Sequence, residues 1–225
     1  MESYHLSQFP DDHSSVHLAF FKNVTNSADL RKRLVAAATM EGEEGDQERD
    51  LLDYAFVEAN MIVDREQLLT AIYSALQAAS SGPLKTKTLH SEVLLSLHPS
   101  ATPQINEALR KFGISATTKN LILVRIGPPS LSSITSTSTS LPLSSDEDAK
   151  AEHEQKLVDA MSDLVEGEMT SLSQLRESDV DWKGLKKLYK LNEMNLAPNA
   201  PSTEAEKDML AAVITSTIAT KTVAG

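Results

Sequence analysis

The segment 121–126 constrains the fold most, because it is an apolar run interrupted only by Arg125. Such a short run is typical of a strand with both faces buried, so we expect it in the middle of a sheet. Segment 17–24 predicts another interior strand, since apolar residues occupy both of its alternating faces. Segment 56–63 predicts a third strand, and 171–175 an edge strand.

Apolar residues recur at helical spacing in the rest of the chain. Aromatic residues make up only 4% of the sequence, which favours helix packing over an all-β sandwich. Helix-start signals precede several of these segments, at Asn26 or Ser27, Asp64, Thr88, Thr102, Asp181 and Thr203. For the helix that follows Thr102 we expect an inner face of Ile105, Ala108, Leu109 and Phe112. The pattern predicts an α+β fold: a small, mainly antiparallel sheet covered by several helices, in a single domain (1–225).

Two segments differ in composition from the rest. Residues 41–54 are strongly acidic and predict a solvated loop insertion, because they offer little apolar surface to bury. Residues 128–150 begin with a stretch rich in serine, threonine and proline and predict a disordered insertion. We expect both insertions to interrupt one domain rather than to separate two.

The composition excludes several classes of site. The chain has no cysteine, so disulfides, thiolate metal sites and cysteine nucleophiles are ruled out. No apolar run is long enough to span a bilayer, and the first residues do not have the pattern of a secretory signal. We therefore expect a nuclear or cytoplasmic protein with no membrane contact. The net charge of −11 favours basic partners over nucleic acid, unless the charges are segregated.

The motifs of common catalytic sites are absent from the sequence. There is no glycine-rich phosphate loop and no protein-kinase signature. His90 and Glu92 are two residues apart, so on a helix they point to different faces. We expect His90 to be a surface residue in the first turn of that helix. No histidine has metal-ligand spacing with a second one. We predict no catalytic residue, no metal and no cofactor.

A local excess of basic residues lies in the middle of this acidic chain. Between positions 81 and 125, six lysines and arginines oppose only two glutamates, a balance of +4 (six minus two). Lys85 and Lys87 flank a predicted helix N-terminus, where backbone N–H groups favour phosphate. The functional interpretation is a contact with an RNA backbone. The alternative, which the sequence leaves open, is ordinary surface lysine.

The C-terminal helix carries a wide apolar stripe that includes Met209, Val213, Ile214 and Ile218. A stripe of this kind can offer apolar area to a partner protein. It can equally be the buried face of the last core helix, and the sequence does not separate the two.

Several segments resemble a known family. Lys-Thr-Lys-Thr-Leu at 85–89 and Glu-Ala-Leu-Arg-Lys-Phe-Gly-Ile-Ser at 107–115 are similar to segments of the TPRKB-like, PRPK-binding subunits of the EKC/KEOPS complex, of the fungal type. The apolar strand at 121–124 follows them, as it does in that family. Segments 20–31 and 186–191 add similarity upstream and downstream, so the resemblance spans most of the chain in the same order.

The resemblance implies a non-catalytic accessory subunit. The complex places threonylcarbamoyl on the adenosine next to the anticodon of tRNAs that read codons beginning with A. Members of the family bind a PRPK-like atypical kinase, regulate it allosterically, contact the other KEOPS subunits through it and help to recruit tRNA. The fungal complex is also linked to telomeres, which implies a location in the nucleus, including chromosome ends, and in the cytoplasm.

Site residues can be carried over by position. The RNA candidates are Lys85, Lys87, His90, Arg110 and Lys111, and the kinase-contact candidates are Met209, Val213, Ile214 and Ile218. Two alternatives remain at this point. One is a purely protein-binding scaffold module without RNA contact, and the other is an enzyme that acts on tRNA by itself.

Overall fold

The centre of the fold is an antiparallel sheet, seen in a computed structural model that describes residues 1–128, 146–177, 179–191, 201 and 203–221. Its strands are β1 (Glu2–His5), β2 (Ser15–Lys22), β3 (Ala55–Glu58), β4 (Leu121–Gly127) and β5 (Glu168–Thr170). The strand order is β1-β2-β4-β3, and β5 also pairs with β2. The apolar run thus forms β4, between β2 and β3, and the prediction of a central strand is confirmed.

Strands β1 and β5 share one edge of β2. β1 pairs with the first half of β2, from Ser15 to Leu18, and β5 pairs with the second half, from Phe20 to Lys22. Sequence patterning did not predict β1, because its alternating residues are polar or half-buried. The edge strand that we expected at 171–175 is wrong by position: the strand is β5, and Leu172–Glu177 forms a 3-10 helix.

Eight α-helices accompany the sheet in the described part of the chain. They are α1 (Ser27–Ala37), α2 (Gly42–Leu51), α3 (Arg65–Ser81), α4 (Leu89–Leu97), α5 (Ile105–Phe112), α6 (Asp146–Leu164), α7 (Trp182–Leu188) and α8 (Glu204–Thr220). The α+β class, with a small antiparallel sheet and several helices, is confirmed.

Two apolar cores lie on opposite faces of the sheet. The first face packs against α3, α4, α5, α7 and α8, and its strand residues include Leu18, Val57 and Val124. The second face packs against α1 and α6, and its strand residues include Phe21 and Leu123. Because both faces are covered, the central strands can be apolar at successive positions.

Short side chains fix the starts of the helices next to the first core. Asp64 Oδ1 accepts a hydrogen bond from the backbone N–H of Gln67 at 2.8 Å, and Gln67 Oε1 accepts one from the N–H of Val63 at 2.7 Å. Thr203 and Glu206 form a reciprocal capping box at the start of α8. These bonds satisfy N–H groups that have no partner inside the helix.

The acidic segment is a helix and not the loop that we expected. Helix α2 follows α1 after a short turn, and Arg33 Nε donates to Glu48 Oε1 at 2.8 Å across the two helices. Arg49 Nη1 donates to the carbonyl oxygen of Met40 at 2.8 Å, which ties the end of α2 to the turn. Acidic residues in the first turn and Arg49 in the last turn also match the helix dipole. Paired charges, rather than apolar burial, therefore order this segment.

The prediction for residues 128–150 is answered only in part. Residues 129–145 lie outside the described part of the chain, whereas residues 146–150 belong to the backbone of α6 and are not part of a disordered insertion.

One expectation about a helix face is also wrong. In α5, Ala108 and Phe112 are buried, but Leu109 is 41% exposed. The helix has only 8 residues and contacts α4 and the first core with a single narrow face. Leu109 follows Ala108 by about 100° around the helix, so it lies outside that face.

Candidate functional site

The loop before α4 holds two of the predicted RNA-binding residues. The carboxylate of Glu92, which is only 3% exposed, accepts hydrogen bonds from Thr86 N at 3.1 Å and from Thr86 Oγ1 at 2.8 Å. Thr88 Oγ1 accepts a bond from the backbone N–H of Ser91 at 3.1 Å and caps the helix. These bonds hold the loop against α4, and the side chains of Lys85 and Lys87 are exposed to solvent.

A further lysine lies close to this loop. Lys221, which directly follows α8, donates from Nζ to the carbonyl oxygens of Leu95 and His98 at 2.9 Å each. Burial and, to a smaller extent, the ammonium group of Lys85 lower the pKa of Lys221 to about 8, although the carboxylate of Glu92 opposes both effects. Lys221 and Lys85 therefore share one electrostatic environment.

Sequence reasoning did not single out Lys221. Two features of the sequence could have pointed to it. Lys221 directly follows the last residue of α8, and the last turn of α4 contains no basic residue of its own. Lysine side chains commonly satisfy carbonyl groups at the C-terminus of a helix. In this fold the helix end that Lys221 satisfies belongs to a different element, which a pattern along the sequence does not reveal.

His98 connects the same region to α5. Its Nδ1 accepts a hydrogen bond from Ser100 N at 3.2 Å. Burial lowers the pKa of His98; Glu107 opposes this, while Lys221 and Lys111 lower the pKa further. Lys85 and Lys111 thus belong to one group of interacting charges, which also includes Lys221 and His98.

Lys87 and Arg110 do not join this group. Both side chains are exposed, and among the described residues the interactions just traced do not extend to either of them. They lie on the same elements as Lys85 and Lys111, respectively, so they border the group and are not part of it.

His90 is not the surface residue that we expected. Its Nδ1 is 2.8 Å from Asp53 Oδ1, and its Nε2 accepts the backbone N–H of Ile126 at 3.0 Å. These contacts fix the tautomer with hydrogen on Nδ1, which donates to the carboxylate. The side chain is buried and both nitrogens are used within the chain, so His90 joins α4 to strand β4 and presents no free donor to RNA.

Arg125, which the sequence counted among the basic residues at 81–125, is also not part of a basic surface. Its guanidinium group pairs with the carboxylate of Asp53 and stacks over the ring of Tyr54 at 5.6 Å. Burial raises the pKa of Asp53, but the hydrogen bonds from His90 and Arg125 and the positive charge of Arg125 outweigh it and hold that pKa below its usual value. Arg125 therefore neutralises a partly exposed carboxylate of the same chain and adds little positive potential to the surface.

Helix α8 separates the four kinase-contact candidates into two pairs. Ile214 and Ile218 are buried in the first core, so they stabilise the fold and are not available to a partner. Met209 is 42% exposed and Val213 is half-buried, on the outer side of the helix. The outer side carries a shallow groove lined by Met209, Ala212, Val213, Ser216, Thr217 and Thr220. We call these six residues the α8 groove.

In the described ranges, no group of three or more histidine, cysteine, aspartate or glutamate side chains is close enough to hold a metal ion. No helix in that part of the chain is both long enough and apolar enough to cross a membrane.

Comparison with known proteins places the chain among kinase-binding proteins. Residues 21–222 match the model of the family described as kinase binding protein CGI-121. A Cryptococcus neoformans protein named EKC/KEOPS complex subunit CGI121 is 34% identical over 256 aligned positions, which cover 99% of this chain and 100% of the relative.

A second relative agrees with the first. The Schizosaccharomyces pombe protein of the same name is 30% identical over 192 aligned positions, which cover 85% of this chain and 89% of the relative. The resemblance seen in the segments around Lys85 and Phe112 is confirmed. The chain therefore belongs to the CGI-121 family of kinase-binding proteins.

Proposed function

We propose that this protein is a non-catalytic accessory subunit of an EKC/KEOPS complex, in which it binds and allosterically regulates the PRPK-like kinase and helps to recruit tRNA. The observation that carries the proposal is the α8 groove, an outward-facing apolar surface in a chain of a kinase-binding family. The relatives named as EKC/KEOPS subunits support the assignment to that complex.

The α8 groove suits a protein partner for two reasons. Its residues follow one another along the outer side of a helix whose inner side is fixed by Leu210, Ile214 and Ile218. A partner can therefore dock without disturbing the core. Most of the lining side chains are small, so the backbone of a partner can approach closely, while Met209 supplies a flexible apolar anchor.

The test of the kinase surface is co-purification with the cognate kinase. The double substitution Met209→Asp and Val213→Asp places two charges in the groove, and we expect it to abolish the stable pair, because burying an unpaired carboxylate is costly. Val35→Asp is the matched control: it replaces an exposed apolar residue of α1, on the opposite side of the sheet, and should leave the pair intact. Equal binding by the two variants would contradict the proposed surface.

Recruitment of tRNA is assigned to four basic residues: Lys85 and Lys87 on the loop before α4, and Arg110 and Lys111 in the last turn of α5. Lys85 and Lys87 are exposed cations beside a helix start, where phosphate is favoured, and the affinity that such cations provide falls as salt rises. The substitutions Lys85→Glu and Lys87→Glu should weaken tRNA binding by at least about tenfold at ~100 mM salt and reduce its salt dependence.

A charge-matched control distinguishes a site from a general effect of net charge. Arg31→Glu and Lys32→Glu change the net charge by the same amount on the exposed side of α1. If this control weakens tRNA binding as much as the variant of Lys85 and Lys87, the protein has no RNA site at the loop. A purely protein-binding scaffold would then be the better description, and the net charge of −11 favours that alternative.

The third part of the proposal concerns activity. We expect formation of threonylcarbamoyladenosine to require the catalytic subunits and to be faster when this protein is present with the kinase. Product formed by this protein alone, from tRNA and the activated threonylcarbamoyl donor, would instead identify an enzyme. Location in the nucleus, including telomeres, and in the cytoplasm belongs to the same proposal and is checked by imaging a tagged copy.

A further inference from the structure

Arg176 joins three elements through two carboxylates. It lies in the 3-10 helix Leu172–Glu177, and its Nη1 donates to Oδ1 of Asp208 on α8 at 2.7 Å. Its Nη2 donates at 3.2 Å to Oδ2 of Asp64, which is the N-cap residue of α3. One guanidinium group therefore ties the first turns of α8 to the start of α3.

This bridge is fixed at its inner end. The side chain of Asp64 is only 7% exposed, and its other oxygen, Oδ1, accepts the N–H of Gln67 at 2.8 Å. The 3-10 helix that carries Arg176 is also held in place, since Leu172 is buried in the first core. A side chain that is already ordered loses little conformational entropy when it makes a second ion pair. Such a network can therefore contribute more than an isolated pair on the surface.

The outer end of the bridge lies next to the α8 groove. Asp208, whose side chain is 59% exposed, is directly followed by Met209, the first residue of the groove. The first buried residue of α8 is Leu210, so residues 204–209 have no buried side chain to fix them. The bridge from Arg176 connects this part of the helix to the rest of the fold. It therefore restricts where Met209 can lie relative to the other groove residues.

We infer that Arg176 is a positioning residue for kinase docking: through Asp208 it holds the first turns of α8, and with them Met209, in the arrangement that the kinase binds. The inference rests on the proposed binding of a PRPK-like kinase at the α8 groove. A surface that is ordered before association loses less conformational freedom when it binds. Removing the bridge can weaken binding by no more than the bridge contributes, which is about fivefold for a partly exposed pair.

The experiment measures the affinity of the full chain and its variants for the purified cognate kinase. Arg176→Met removes the guanidinium group, and Asp208→Ala removes the carboxylate. Each should weaken binding by about fivefold, and the double variant should weaken it no further, because both changes remove the same bridge. The two substitutions change the net charge in opposite directions. A long-range electrostatic effect would therefore strengthen binding by one variant and weaken binding by the other.

Lys207→Met is the matched control on the same helix. It removes a positive charge whose ion pair, with Glu204 at 2.6 Å, lies within α8, so it should bind the kinase as the wild type does. Urea unfolding of every variant shows whether the fold is intact, and the exposed position of Asp208 makes Asp208→Ala the variant that perturbs the core least. If Arg176 only stabilises the fold, the variants unfold at lower urea concentration but bind the kinase with unchanged affinity.

Three results overturn the inference. They are wild-type affinity in both single variants, effects of opposite sign, and effects that add in the double variant, since additive effects indicate two separate contacts with the kinase. The proposed surface itself is tested by the wild type and by Met209→Asp combined with Val213→Asp. If the wild type does not bind the kinase, or if this charged variant binds equally well, the proposed surface is refuted, and this inference fails with it.

Discussion

The contact of Asp53 with His90 and Arg125 gives a prediction whose size can be worked from the structure. Asp53 lies between α2 and β3, His90 on α4 and Arg125 on β4, so one carboxylate joins elements from both sides of the sheet. Asp53→Asn keeps the shape of the side chain and removes its charge. We expect this substitution to lower the free energy of unfolding, because the charge-assisted bonds to both partners become weaker.

The magnitude follows from exposure. Hydrogen bonds to charged groups are each worth roughly 1.5–3 kcal/mol, and the amide oxygen of asparagine can still accept one of the two. The side chain of Asp53 is 41% exposed, so solvent screens part of the interaction. A loss of about 1–2 kcal/mol at pH 7 is therefore expected, which lowers Tm by about 2–4 °C for each kcal/mol in a chain of this size.

The assay is urea unfolding of the wild type and the variant at several pH values. Because the folded chain holds the pKa of Asp53 below its usual value, the stabilisation is complete above the unfolded value of about 3.9 and is lost as the pH falls through the folded pKa. The two proteins should thus converge in acid.

The control for this assay is Asp50→Asn, which makes the same charge change on an exposed residue of α2. This control substitution should lower the free energy of unfolding by less than about 0.5 kcal/mol. A variant of Asp53 that matches this control at pH 7, or a difference that does not shrink as the pH falls below about 3.9, would refute the reasoning.

Four further substitutions test the fold, each by thermal unfolding. Phe112→Ala should cost about 3–5 kcal/mol because the ring is fully buried, whereas Leu109→Ala should cost less than about 1 kcal/mol; equal effects would contradict the assigned face of α5. Gly45→Ala should destabilise α2 despite the better helix propensity of alanine, since the added Cβ would lie 2.6 Å from the carbonyl oxygen of Met40; a gain in Tm would argue against the helix. Thr203→Ala should cost about 1 kcal/mol through loss of the capping box, and an unchanged Tm would show that α8 needs no cap.

Much of the fold could be predicted from periodicity. The central strand β4 was identified because it is apolar at successive positions, and the starts of α3, α4 and α8 because a capping side chain bonds a nearby N–H group. These signals are local, so the sequence alone contains them. Helix α2 was missed because its order comes from Arg33 and Arg49, which reach from one element to another.

The candidate site was predicted less completely, for the same reason. Lys85 and Lys87 are exposed because they lie in a loop, which the sequence indicates. His90 was assigned to the surface because its partners, Asp53 and Ile126, are 37 and 36 residues away along the chain. Ile214 and Met209 share one apolar stripe, and only the packing of α8 against α3 shows which of them faces the core.

The divided edge of the sheet has a consequence for association between copies of the chain. β1 and β5 are 4 and 3 residues long, and each covers a different half of β2. An unpaired strand edge can template the addition of a strand from another molecule, and the risk grows with its length and continuity. Two short strands from distant parts of the chain lie one after the other along this edge of β2. The edge therefore offers no long, unbroken row of backbone donors and acceptors. The arrangement therefore limits aggregation through this edge of the sheet.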